Sequence, residues 1–171
     1  KIVGVILDID RAKKSEQQLT TRASFDALTE LYNRETIESQ IDNEITLSEA
    51  RKSEMAVLFI DVDDFKHYND QYSHATGDQV LKFVARTIKG TVNEFGFAGR
   101  YGGDEFIACI RNAEINDPTR AAQDIISKLE EGFECDGVHL TVSVSIGISM
   151  IKDDYNTRVE YIIGKADDCL L

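Results

Sequence analysis

An α+β sandwich, with a mostly antiparallel central sheet flanked by helices and a linker helix in front, is the fold class that this sequence predicts. Three observations carry it. Met55-Ala56-Val57-Leu58-Phe59-Ile60 is a continuous apolar run, as expected of a strand buried on both faces. Phe95 to Arg100 and Phe106 to Ile110 are strand-like segments separated by a glycine-rich turn, the pattern of a hairpin. Between and around them lie segments with apolar residues at helical spacing, so strands and helices alternate irregularly rather than as repeated β-α-β units.

Taken in order, Ile2 to Asp10 reads as one strand that is not stable alone, and Arg11 to Ser24 as a helix with a thin apolar stripe of Ala12, Leu19 and Ala23. A dimeric coiled coil and a solvated spacer both suit that stripe. A helix over about 33–51 places Ile37, Ile41 and Ile45 at i, i+4 and i+8. The Met55 strand follows, then a short helix at 64–71 and a longer one near 76–92 with Val80, Leu81, Val84 and Ile88 on one face. After the hairpin, Asp117-Pro118 opens a helix that runs to Gly132, because Asp caps free N–H groups and Pro suits the first helical position. A strand pair near 133–150 and a last helix complete the order.

Composition sets the outer limits. The chain has 171 residues, one proline and 42% hydrophobic residues, enough for one sizeable core and one domain plus a linker. A formal charge of −12 argues against nonspecific nucleic-acid binding, which needs basic surface. Three widely spaced cysteines, Cys109, Cys135 and Cys169, indicate neither a disulfide framework nor a zinc site, and buried thiols in a reducing cytoplasm are the expectation. No stretch approaches the roughly 20 apolar residues of a membrane span, and no signal peptide is expected.

Two acidic positions point to chemistry. Arg100-Tyr101-Gly102-Gly103-Asp104-Glu105-Phe106 puts paired glycines, the usual residues for turns with positive φ, before two carboxylates. On its own the heptad is equally an ordinary solvated turn. The Met55 strand, however, stops at Asp61-Val62-Asp63-Asp64, and a carboxylate at the end of a buried strand needs a cation, a metal or water. With Asp61 beside the hairpin, the site becomes a cluster of hard oxygen donors without His or Cys, which suits Mg²⁺ rather than zinc. Asp63 and Asp64 precede the short helix and are read as its capping residues.

The series Asp61-Val62-Asp63-Asp64-Phe65-Lys66, Asn69-Asp70, His74, Gly77-Asp78 and Arg100 to Phe106 resembles the GGDEF domains, the bacterial diguanylate cyclases. Asp26-Ala27-Leu28-Thr29-Glu30-Leu31-Tyr32-Asn33-Arg34 resembles the opening motif of that family, and Thr141 to Ile148 its late core strand. The resemblance implies a core shared with the palm of nucleotidyl cyclases and polymerases, and the condensation of two GTP into cyclic di-GMP with release of pyrophosphate across a homodimer. It implies that Asp61, the Val62 carbonyl, Asp104 and Glu105 lie against two Mg²⁺ or Mn²⁺ ions per GTP site. Asp104 is also a candidate for deprotonating the 3′-hydroxyl, a role the metal can equally fill. Gly102 and Gly103 then let the backbone approach the nucleotide, and Phe65 and Lys66 match positions that hold its β- and γ-phosphates.

Asn69 and Asp78 match the guanine-reading positions. A carboxylate can accept from guanine N1–H and N2, whereas adenine N1 would confront it with a lone pair, and an unpaired buried polar group costs roughly 1–3 kcal/mol. Helix-end and turn roles are the ordinary alternatives for both. His74 is read as structural.

Three departures from the family accompany the likeness. The arginine and aspartate of its inhibitory product site are replaced in Asn93-Glu94-Phe95-Gly96, so no inhibitory product site is expected. The chain ends within the family's last helix, before a basic stretch that touches the triphosphate, so impaired GTP binding or turnover is expected. Glu30 and Ser73 stand where glycine is usual. Residues 1–10 resemble the final strand of a PAS sensor domain and 11–25 a signalling linker, with 26–171 as the catalytic domain. The expectation is a cytoplasmic fragment of a sensor protein, with its upstream sensor domain as intramolecular partner, no nucleic-acid contact and no membrane contact from this fragment, an upstream membrane anchor in the full-length protein being compatible with it. A non-catalytic module binding GTP or a partner is the alternative, and a mononucleotide cyclase a third.

Overall fold

The computed structural model describes residues 24–152 and 157–170. The expected strand at 2–10 and nearly all of the linker helix lie outside them. The elements are α1 (Arg34–Arg51), β1 (Met55–Val62), α2 (Phe65–Gln71), α3 (His74–Val92), β2 (Gly96–Arg100), β3 (Glu105–Arg111), α4 (Pro118–Glu131), β4 (Phe133–Cys135), β5 (Val138–Leu140), β6 (Val144–Ile151) and α5 (Val159–Asp167). Four strands form one antiparallel sheet in the order β2-β3-β1-β6, and β4 and β5 make a separate hairpin.

β1 is central because it is apolar on both faces. Ala56, Leu58, Ile60 and Val62 enter one core, where Val80, Leu81, Val84 and Ile88 of α3 and Ile125 and Leu129 of α4 meet them. Met55, Val57 and Phe59 point the other way, onto Ile37, Ile41 and Ile45 of α1 and Ile162, Ile163 and Ala166 of α5. Helices on both faces of an antiparallel sheet give the predicted α+β sandwich.

Helix starts follow local chemistry. Asn33 caps α1 by accepting from the Thr36 amide, Ser73 caps α3 through Thr76, and Asp117 caps α4 through Thr119 with Pro118 at the first turn. The Ser73 cap starts α3 at His74, two residues before the predicted start. Glu30, in a glycine position of the family, holds φ 58°, the left-handed region that glycine adopts without a Cβ penalty.

Three expectations are corrected. The segment near 133–150 is not one strand pair: β4 and β5 pair with each other, and β6 pairs with β1. Among the described strands, β3 and β6 are the ones long enough to pair along β1 from Met55 to Asp61, one on each edge. Gly102 and Gly103 do not take positive φ, which among the described glycines belongs to Gly132 and Gly137. Cys109 and Cys135 are buried as expected, whereas Cys169 is exposed.

Candidate functional site

The site lies at one end of the β1–β3 pair. Asp61 is paired across the strands with Glu105, and the Val62 amide donates to the Asp104 carbonyl at 3.2 Å. The ladder therefore sets both signature acids against the end of β1. By alternation Asp61 and Glu105 share the face covered by α1 and α5, and both are half-buried.

Electrostatics mark this end as strained. Burial, followed by the charges of Asp104, Glu105, Asp63 and Asp167, pushes the Asp61 carboxyl up to about 6. Every cause is desolvation or another carboxylate. A hard divalent cation would relieve this, and oxygen donors are its preferred ligands, so the residues fit such an ion. Among the described residues, however, no three His, Cys, Asp or Glu side chains gather as a ready ligand shell. Asp61, Asp104 and Glu105 are electrostatic neighbours that do not converge on one point.

The signature loop is braced from two sides. The Glu105 carbonyl accepts from the Tyr101 and Gly102 amides at 2.8 and 3.2 Å. A Cβ on Gly102 would collide with the Glu105 carboxylate, whereas one on Gly103 would meet open space. A side chain at position 102 would thus displace the Glu105 carboxylate, and Gly103 leaves the approach to the loop clear. Arg100 donates to the Gly103 carbonyl through Nε at 3.2 Å and Nη2 at 2.6 Å, and through Nη1 to Asp26 at 3.1 Å. Burial alone would raise the Asp26 carboxyl, but the hydroxyl and amide of Thr29 together with Arg100 bring it below the usual carboxylate value. On the other flank, the Arg34 guanidinium lies 4.2 Å from the centre of the Tyr101 ring and donates to its hydroxyl at 3.0 Å. The opening motif thus reaches the acidic loop at two points.

Asp63 and Asp64 do not act as the predicted caps. The Asp63 carboxylate accepts from the hydroxyls of Ser143 and Ser145, and Asp64 sits at the start of α2 with φ 51° and no side-chain capping bond. The αL backbone at Asp64 turns the chain sharply between β1 and α2, which carries Phe65, Lys66 and Asn69.

Asn69 packs against a residue whose role was not foreseen. A Cβ at Gly77, the neighbour of Asp78 on α3, would overlap the Asn69 side-chain oxygen and press on the Phe65 ring. The bare Gly77 backbone therefore leaves room for the Asn69 amide against α3, and Asp78, the next residue of that helix, is exposed. A glycine next to the acid inside a predicted helix was the available signal, since glycine costs a helix stability unless something packs there. His74 is the first residue of α3.

A family model described as "Diguanylate cyclase, GGDEF domain" matches residues 23–171. The chain is 36% identical over 149 residues to the diguanylate cyclase DosC of Escherichia coli, an alignment covering 85% of this chain and 32% of that protein. It spans about a fifth to a third of the length of such curated relatives. Among solved structures, a sensory box/GGDEF family protein from Caulobacter crescentus superimposes with TM-score 0.77 at 34% identity, covering 86% of this chain and 95% of that one. The coiled coil and GGDEF domain of DgcB from the same organism, solved in complex with c-di-GMP, shares the fold with TM-score 0.88 at 23% identity over 98% of this chain and 88% of that one. With the acids of β1 and β3 at one sheet end and a match across its described length, the chain belongs to the GGDEF family of diguanylate cyclase domains.

Proposed function

We propose that this domain condenses two GTP into cyclic di-GMP and pyrophosphate as a homodimer. The observation that carries the reading is the cross-strand pairing of Asp61 with Glu105, with Asp104 tied by its carbonyl to Val62, which concentrates anionic oxygen where a triphosphate and its cations would lie. Asp61, Asp104, Glu105 and the Val62 carbonyl would hold Mg²⁺ or Mn²⁺. Such ions, when bound, supply charge neutralisation at the phosphates and acidify the attacking hydroxyl.

The chain's own residues perform the remaining tasks. Asn69, seated by Gly77, and Asp78 read the guanine edge. Lys66, with the Phe65 backbone, holds the β- and γ-phosphates, and the open side of Gly103 admits the nucleotide beside Asp104. Asp104, the last residue before β3, would accept the proton of the 3′-hydroxyl, a role the metal can equally fill, as the bond to the α-phosphate of the facing nucleotide forms and pyrophosphate leaves. One site orients one nucleotide, so two copies must face each other for reaction. Asn93 and Gly96 offer no bidentate cation or carboxylate to a product phosphate or guanine, which favours a cyclase without the inhibitory product site.

Residues 1–10 and 11–25 would couple this cytoplasmic domain to a PAS-like sensor. No helix among the described residues is long and apolar enough to cross a membrane.

Chromatography of a Mg²⁺/GTP incubation tests the proposal. Cyclic di-GMP and pyrophosphate are expected, with a rate that rises more steeply than linearly with enzyme concentration in the dilute range. Binding of GTP with no product at any enzyme concentration, in a chain extended beyond Leu171, would leave the non-catalytic module as the correct reading. Cyclic GMP as sole product would establish the mononucleotide cyclase.

A further inference from the structure

The β1–α2 junction is tied to one short segment, residues 141–145, by four hydrogen bonds through Asp63 and Tyr68. The Asp63 amide donates to the Ser143 carbonyl at 3.1 Å, and the Asp63 carboxylate receives the Ser143 hydroxyl on one oxygen at 2.5 Å and the Ser145 hydroxyl on the other at 2.8 Å. From α2, the Tyr68 hydroxyl donates to the Thr141 carbonyl at 2.9 Å. Ser145 is itself the cross-strand partner of Asp61, so the clamp closes directly behind the first acid of the site. Ahead of it lies Asp64, whose left-handed φ of 51° is a conformation that a non-glycine residue keeps only when its surroundings enforce it.

We propose that Asp63, gripped by Ser143 and Ser145, is a positioning residue of this site and not a metal ligand. With both carboxylate oxygens engaged by hydroxyls, Asp63 locks the sharp turn between β1 and α2. That turn sets the Val62 carbonyl relative to Asp61 and sets Lys66 and Asn69 relative to both. The inference rests on the GTP reading of the site, and it assigns to the serines of β6 and its approach a part in nucleotide binding that their distance from the signature loop in sequence conceals.

The test compares Asp63→Ala, the double variant S143A/S145A, and Asp63→Asn, whose amide can accept from one serine and donate to the other. Two readouts are taken: equilibrium binding of a non-hydrolysable GTP analogue with Mg²⁺, and hydrogen exchange of the amides of residues 62–67. Asp63→Ala and S143A/S145A should each weaken analogue binding by about 10–100-fold, the usual effect of losing a residue that orients a ligand shell. Both should also speed exchange across 62–67, while Asp63→Asn stays close to the parent in both readouts. Asp63→Asn losing binding as fully as Asp63→Ala, with S143A/S145A at the parental level, would make Asp63 a ligand and overturn the proposal. Unchanged exchange at 62–67 in S143A/S145A would overturn it as well. All variants are made in a chain extended beyond Leu171; failure of that parent to bind the analogue would refute the GTP reading separately, and the exchange comparison would still decide the clamp.

Discussion

The two ends of the β1–β3 pair treat a half-buried or buried acid in opposite ways. At one end Met55 faces Arg111, and Arg111 donates through Nε at 2.9 Å to Glu44, a carboxylate of α1 only 5% exposed that Arg51 also approaches at 3.7 Å. At the other end Asp61 faces Glu105, and its neighbours are more carboxylates. The first end is a finished structural ion pair. The second is left in electrostatic tension, the condition in which a site has most to gain from a bound cation. A stable fold tolerates that cost at one place only when the rest of the sheet holds it, and here seven register pairs along β1 and β3 do so.

The contrast yields predictions of decreasing size. If the proposed cyclase reaction holds, Asp61→Asn or Asp104→Asn should reduce cyclic di-GMP formation by on the order of 1,000-fold or more, since each would remove charge from the proposed reacting centre. Thermal unfolding without nucleotide should be unchanged or raised in Asp61→Asn, because a strained carboxylate is lost. Because the folded Asp61 value lies near 6, above its unfolded value, its contribution favours the fold at low pH and is lost as pH rises through about 6. Urea titrations across pH 4–8 should show that slope in the parent and lack it in Asp61→Asn. An equal loss of stability in Asp61→Asn and a structural variant would dissolve the distinction between the two ends.

Glu44→Ala should do the reverse. It should cost about 1.5–3 kcal/mol in urea unfolding by removing the charge-assisted hydrogen bond from Arg111. Turnover per folded molecule should stay near the parental value. Gly77→Ala separates binding from stability: alanine is the better helix former by about 0.5–1 kcal/mol, yet its Cβ displaces Asn69. A weaker affinity for GTP, with the preference over ATP reduced and no loss in melting temperature, is the expected result of calorimetry. The smallest effect concerns the brace behind the loop. Asp26 is held below its ordinary value, so its stabilising contribution is present near neutrality and is lost as pH falls through its depressed folded value. Asp26→Asn should flatten that acid limb, and it should lower cyclase activity through Arg100 and Gly103 without touching the reacting atoms.

Much of this molecule was legible in local pattern. Ile37, Ile41 and Ile45 marked α1, the unbroken run from Met55 marked the central strand, and Asp117-Pro118 marked the start of α4, because periodicity and capping are written in neighbouring residues. The kinship of the site motifs was legible too, from Asp61 through Asp104 and Glu105.

The tertiary structure decided what local chemistry leaves open. Asp63 and Asp64 have the composition of helix caps, but the hydroxyls of Ser143 and Ser145 reach Asp63 from the far side of the chain and win it. Thr141 to Ile148 looks like one strand, yet its first residues serve as clamp and tether while β6 begins at Val144. Gly102 and Gly103 form an identical pair in sequence; only the fold sets one against the Glu105 carboxylate and leaves the other open. By itself, then, the sequence determined most of the described elements and the family, and it singled out Asp61, Asp104 and Glu105 as candidates. Which acid is left uncompensated, which is clamped and which is paired depends on partners that are distant in sequence, and those are fixed only when the sheet order β2-β3-β1-β6 brings them together.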